Sequence, residues 1–248
     1  MGYGLTRNKK KLIVRRTKVR PALDAHHIEE VLSSGCWSGE RCFLLGGGPS
    51  LVNFDFSKLD GELTIGVNKT FNDYYCTVNY SMDIGFYDYI TNPSPHPPHK
   101  ALCKRWEEYP GIKAILVPDR PFRFKDNSYV VPKVAKECIN LEVMDGIFPG
   151  NNSGFGALML ALQFGANPIY LLGYDFKTTK TKTHYHEGYE HYRKQDTDSL
   201  QPVLDKFRRQ FERLEPTFRS LDVSIINLNR ESALECFPKG RIENLLKG

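Results

Sequence analysis

Four stretches of the chain carry residue types and spacings suited to chemistry. The first is Gly46-Gly47-Gly48-Pro49-Ser50. Three glycines let backbone pass close to a ligand, Pro49 suits the first position of a helix, and Ser50 sets a hydroxyl among the exposed N–H groups of that turn. Together they read as a site for a phosphate-sized anion. A tight turn needing positive φ would explain one glycine equally well, but it explains three followed by Pro-Ser less readily. The spacing is not the dinucleotide fingerprint, because no glycine stands three residues after Gly48. The second stretch is Asn151-Asn152-Ser153-Gly154, opening an apolar run from Ala157 to Leu162. Asn152 and Ser153 are good helix caps, a role that needs no ligand. The third group is polar residues at strand ends: Asn68, Asp83 and Asp175. The fourth is His184-Tyr185-His186 with His191, in a polar segment where a general acid or base would be reachable. A metal site is the competing use of these histidines, but no third and fourth ligand stand at standard spacing.

The elements that must position these residues follow from periodicity. Apolar runs at 42–45, 62–68, 77–83, 112–117, 169–173 and 223–228 read as strands, with a weaker one inside 122–133. Helical spacing appears at 21–34, where Gly35 is placed as the stop and the helix is expected beside the first strand. It recurs at 101–109, in a run after Ser153 that is apolar nearly all round, and at 199–220. The last is amphipathic, with Lys206, Arg208, Arg209 and Arg213 expected on a solvated face. Four prolines between residues 92 and 99 read as a loop suited to a lid, with His96 and His99 solvated. Short helical pieces are expected at 231–246. About six strands alternating with helices make an α/β fold with a largely parallel sheet flanked by helices. If the strands are parallel, Asn68, Asp83 and the glycine loop share the sheet edge where such folds bind ligands.

Charge divides the chain. The net charge is +5, yet residues 1–20 hold eight basic residues and no acid, which leaves the remainder at −3 (five minus eight). The expected organisation is a flexible basic arm, residues 1–20, and one α/β domain, 21–248. The arm suits nucleic-acid phosphates, an anionic membrane surface or an acidic partner, or it is simply a solvated tail. No apolar run approaches the roughly 20 residues of a membrane helix, and the expectation is a cytoplasmic protein. The cysteines Cys36, Cys42, Cys76, Cys103, Cys138 and Cys236 are scattered, without a C-x-x-C pair, and are expected as reduced thiols.

Taken in order, four motifs resemble two related groups. They are Gly46-Gly47-Gly48-Pro49-Ser50-Leu51, Asn68 after a strand, Asn152-Ser153-Gly154 before an apolar helix, and Ile169-Tyr170-Leu171-Leu172-Gly173-Tyr174-Asp175-Phe176. One group is the bacterial sialyltransferases of glycosyltransferase family 42. The other is the 6-hydroxymethylpterin diphosphokinase-like Rossmann family, which includes motility accessory factors and many phage proteins. The resemblance covers roughly residues 40–240 and leaves the arm outside. It implies a Rossmann-like nucleotide-dependent transferase. By it, Gly46 to Ser50 hold a donor phosphate, and Asn68 and Ser153, within the Asn152–Gly154 turn, contact the nucleotide or the transferred group. The sialyltransferase turn reads Gly-Asn-Gly-Pro-Ser, and here Gly47 replaces the Asn. Their base is a His shortly after a His-Tyr pair, which points to His186, with His184 positioning, His191 in reserve, and Tyr185 or Ser153 stabilising the leaving phosphate.

The diphosphokinase-like members imply ATP and magnesium, with Asp83 and Asp175 as ligands. Thr183-His184-Tyr185-His186 resembles the phage members most. The leading expectation is a glycosyltransferase moving a sugar from a nucleotide-activated donor to a glycan or a modified base in DNA. ATP-dependent diphosphate transfer to a small hydroxymethyl compound is the first alternative, and a non-catalytic nucleotide- or nucleic-acid-binding protein the second. A homo-oligomer is compatible with either.

Overall fold

Cys42-Phe43-Leu44-Leu45 has no polar face, as a strand covered on both sides requires, and all four residues are buried in strand β1 (Cys42–Leu45). The computed structural model describes residues 26–117, 122–134, 146–179, 181–186 and 196–245. The basic arm, Cys138 and His191 lie outside them. Six more strands follow: β2 (Leu63–Val67), β3 (Val78–Ser81), β4 (Ile112–Leu116), β5 (Tyr129–Val131), β6 (Ile169–Leu172) and β7 (Ile225–Asn227). They form one sheet in the order β5-β4-β3-β2-β1-β6-β7, and every pairing is parallel. The fold is therefore α/β and Rossmann-like, with seven strands among the described residues.

Alternate side chains of each strand feed two layers. Cys42 and Leu44 join a core that includes Phe155, Leu158, Leu162, Phe211 and Phe218, contributed by helices α3 (Ser153–Gln163) and α4 (Thr197–Ser220). Phe43 and Leu45 pack on the other side with Leu51, Leu59 and Ile242. Further along that side, helices α1 (Ile84–Thr91) and α2 (Pro97–Glu107) cover the sheet through Phe86, Tyr87, Ile90 and Trp106.

The helix expected at 21–34 is a single 3-10 turn, Ile28–Glu30, within its described part. The backbone there is captured by the edge of the sheet instead. His27 bridges Val130 in parallel, and Val130 N–H donates to the His26 carbonyl at 2.7 Å. Ile28 is buried while Val31 stays 43% exposed, so the segment lies beside β5 rather than β1. The proline-rich loop also differs from expectation. Pro97 and Pro98 occupy the first turn of α2, where the missing N–H has no intrahelical partner to lose. His99 is consequently buried, stacked on Tyr89 at 4.0 Å and bonded to Ser94 Oγ and the Tyr89 carbonyl. On α4, Lys206, Arg209 and Arg213 are exposed as expected, but Arg208 is half-buried and paired with Glu212 and Asp205.

Candidate functional site

The chain begins the sheet at its centre, builds outward from β1 to β5, and then returns to place β6 on the other side of β1. The reversal makes a crevice beyond the carboxyl ends of β1 and β6, where open α/β sheets bind ligands. The glycine loop leaves β1 there, and Gly173-Tyr174-Asp175-Phe176 leaves β6.

The loop is tied to its neighbour through its own amides. Gly46 N–H donates to the Leu172 carbonyl and Gly48 N–H to the Gly173 carbonyl, each at 2.8 Å. Asp175, 2% exposed, accepts from Ser50 N–H and Ser50 Oγ at 2.6 Å each and from Asn229 Nδ2 at 2.8 Å. The anion at the start of the Pro49–Leu51 turn is thus the protein's own carboxylate, in the position favoured by the turn's exposed donors. None of the three glycines has positive φ. They are required by close approach to protein. A Cβ on Gly46 would lie 2.6 Å from the Gly173 oxygen, and one on Gly48 would lie 2.5 Å from Asp175 Cγ. One on Gly47 would lie 2.9 Å from His184 Cδ2. Phe176 continues the turn at φ 51, uncommon for a bulky residue, and α4 braces it through Gln201 Nε2 to the Phe176 carbonyl at 3.2 Å.

Opposite the loop, α3 presents its amino end. Asn152 Oδ1 accepts from Phe155 N–H at 2.8 Å, and Ser153 Oγ accepts from Met82 N–H at 3.2 Å. The amides of Ser153 and Gly154 open the helix beside the crevice, at the positive end of its dipole. Asn68 follows β2 at φ 52, a conformation Asn tolerates better than most residues. Its Oδ1 accepts from Ser81 Oγ at 2.8 Å, and its carbonyl accepts from Asn79 Nδ2 at 2.9 Å. Asp83 follows β3 at the same sheet edge, as expected of parallel strands, but does not line the cavity of the crevice. Its Oδ1 caps α1, accepting from Gly85 and Phe86 N–H at 3.0 and 3.1 Å. The two carboxylates expected as magnesium ligands, Asp83 and Asp175, are therefore both engaged in capping. Among the described residues no group of three or more His, Cys, Asp or Glu is arranged to hold a metal ion.

A strap of residues 183–186 crosses the glycine loop, anchored by Tyr185 N–H to the Gly47 carbonyl at 3.1 Å. The His184 and His186 rings stack at 5.1 Å and 14°, and His184 Nδ1 lies 3.0 Å from Thr183 Oγ1. Burial, with a smaller contribution from the nearby Lys69 ammonium, pulls the His184 pKa down to about 4. Tyr185 turns the other way, onto Phe56 at 5.7 Å, which stacks on Tyr74.

Together these pieces enclose a cavity of about 150 Å³. Gly46, Gly47, Gly48, Pro49, Asn68, Asn152, Ser153, Gly154, Asp175 and His184 all line it, whereas Ser50, Tyr185, His186 and Asp83 do not. Sequence reasoning missed Lys177, Thr183, Leu204 and Phe207 in the lining, and Asn229 behind it. Leu204 and Phe207 were legible only as part of the apolar side of α4, with nothing local to separate cavity wall from core.

In comparison with solved structures, the chain is similar to the MAf glycosyltransferase from Magnetospirillum magneticum AMB-1. The TM-score is 0.51 and the identity 14%, over 86% of this chain and 35% of that one. It spans about a third of that protein's length. It also matches the sialyltransferase CstII from Campylobacter jejuni, solved in complex with the substrate analogue CMP-3FNeuAc. There the TM-score is 0.40 and the identity 17%, over 81% of this chain and 85% of the other. No family model and no curated protein matches the chain. The first of the two structural matches shows the fold.

Proposed function

We propose that the chain is a glycosyltransferase whose nucleotide-activated sugar binds in the crevice between β1 and β6, with His184 as general base. The observation that carries this reading is the position of His184. It is a neutral imidazole lining the cavity over Gly47, opposite the amino end of α3. In the reaction an acceptor oxygen bonds to the anomeric carbon while the bond from that carbon to the donor phosphate breaks. The acceptor proton passes to the His184 imidazole. With a pKa of about 4 the ring is neutral at pH 7 but a weak proton acceptor in the free protein, and the negative charge gathering on the departing phosphate raises its basicity as the reaction proceeds. Donors at the amino end of α3, with Lys177 in the lining, stabilise that phosphate. The Gly46 and Gly48 amides already serve Leu172 and Gly173, and the Ser50 donors serve Asp175, so the phosphate belongs nearer Ser153 and Gly154 than Ser50. His186, behind His184 in the stack, is the positioning residue in this scheme.

The test is a thermal-shift panel of CMP-, UDP-, GDP- and ADP-sugars and ATP, each with and without magnesium. A nucleotide sugar that stabilises the protein without metal is expected. Turnover of that donor should then fall roughly 10²–10⁴-fold in His184→Ala while donor affinity is kept. Stabilisation by ATP alone, and only with magnesium, would overturn the reading in favour of diphosphate transfer.

A further inference from the structure

We infer that a second concavity, at the opposite edge of the sheet, is a binding groove for a neutral oligosaccharide. It lies where β2, β3 and β4 begin, beside Leu63, Thr77 and Gly111, and has a volume of about 810 Å³, within the usual range of ligand sites. Its working surface is Asp60, Asp73, Tyr74, Tyr75 and Arg105.

The chemistry of those groups selects the ligand. Tyr75 is 40% exposed, and the Arg105 guanidinium stands 4.4 Å from its ring centroid. The guanidinium thus covers one face of the Tyr75 ring and adds hydrogen-bond donors to the groove wall. Tyr74 Oη donates to Asp60 Oδ1 at 3.4 Å. The third carboxylate of the groove, Glu62, is neutralised by Arg41. Asp60 and Asp73 thus stand against the Arg105 guanidinium in the lining and the Lys69 ammonium that acts on Asp73 from beside it, so the groove carries mixed charge in balance. A polyanion gains no net attraction from that balance. A polyhydroxyl chain is suited to it, since its hydroxyls donate to carboxylates, its oxygens accept from Arg105, and its C–H faces pack on the exposed part of Tyr75.

One segment joins the groove to the crevice. The chain runs from Asn68 in the cavity lining to Asp73, Tyr74 and Tyr75 in the groove. Phe56 packs between Tyr74 and the strap residue Tyr185. Burial raises the Asp73 pKa, and the Tyr185 hydroxyl is among the groups that oppose this, which places that hydroxyl next to the groove wall. On the glycosyltransferase reading, on which this role rests, the groove holds the distal part of an acceptor whose reacting end reaches the strap.

The experiment uses the full chain and a panel of neutral di- to tetrasaccharides of glucose, galactose, mannose and N-acetylglucosamine, with sialylated and uronic-acid counterparts. Affinities are measured by titration calorimetry for wild type, Tyr75→Ala and Asp60→Ala. At least one neutral chain should bind, weakened about tenfold or more by Tyr75→Ala and about threefold or more by Asp60→Ala, a hydrogen bond's worth. Both side chains are solvent-exposed, and an unchanged thermal midpoint verifies that each variant folds. Binding confined to acidic sugars, no binding across the panel, or undiminished affinity in both folded variants would overturn the inference. A protein that binds neutral glycans but no nucleotide sugar would keep the groove and lose the transferase. The reverse result would keep the transferase and lose the groove.

Discussion

A methyl group at Gly48 would stand 2.5 Å from Asp175 Cγ and 2.6 Å from the Gly173 oxygen, pushing apart the two strand ends that make the crevice. Gly48→Ala should therefore cost about 1–3 kcal/mol in denaturant unfolding, as overpacking does. Gly47→Ala meets a side chain rather than backbone, the edge of the His184 imidazole at 2.9 Å, so the strap rather than the strand ends must shift. It should unfold near the wild-type midpoint and instead change ligand affinity. The opposite ranking would show that Gly48, not Gly47, is where the loop meets its ligand. His184 makes a second claim at this scale. Its folded pKa of about 4 lies below its ordinary 6.5, so between those values the unfolded chain holds a proton that the folded chain refuses. Stability tied to His184 is full above pH 6.5 and is lost as pH falls through 4. The groups around the ring, Lys69, His186, Lys177 and Asp175, remain in place in His184→Gln. That variant should lose less stability than wild type between pH 7.5 and pH 5. Equal losses in urea midpoint would mean that the ring is not buried in the folded protein.

Helix α3 sets the geometry of both core and crevice, since ten of its eleven residues are buried and its first two, Ser153 and Gly154, line the cavity. Removing its cap in Asn152→Ala frees the Phe155 N–H and should cost about 1 kcal/mol, with Asn152→Asp much nearer wild type. A neutral Asn152→Ala in thermal unfolding would mean that water or a neighbour replaces the cap. This helix was legible in the sequence because a cap, a glycine and an unbroken apolar run agree on one answer. The strands β1 and β6 were legible for the same reason. The segment at 21–34 misled because its helical spacing is weak, and a backbone bridge to Val130, more than 100 residues away, decides its fate. Residues 92–99 misled because two of the four prolines sit where a helix tolerates them. The site divides in the same way. The glycine loop, the cap and the histidine strap announce themselves locally. The bond from Ser50 to Asp175 spans 125 positions and that from Asn229 spans 54, and no local pattern in one sequence encodes a pairing across such distances.

At the scale of the whole molecule, the net charge of +5 conceals a chain whose first 20 residues carry eight positive charges and whose remainder stands at −3. The groove, whose charges balance, and the basic arm are therefore suited to different partners, the groove to an uncharged chain and the arm to a polyanion. Full-length protein should bind double-stranded DNA or heparin at low salt. A plot of log affinity against log salt for DNA should fall with a slope of about −0.9 for each phosphate neutralised. A protein lacking residues 1–20 should lose that binding while keeping its affinity for the neutral oligosaccharide. Undiminished polyanion binding by the shortened protein would move the contact to the body. The exposed Lys206, Arg209 and Arg213 of α4 are the first place to look there, since their spacing sets them along one helix face. Alternatively, DNA competing with the neutral oligosaccharide would mean that one ligand surface serves both, and the separation of charge between arm and groove would then have no functional meaning.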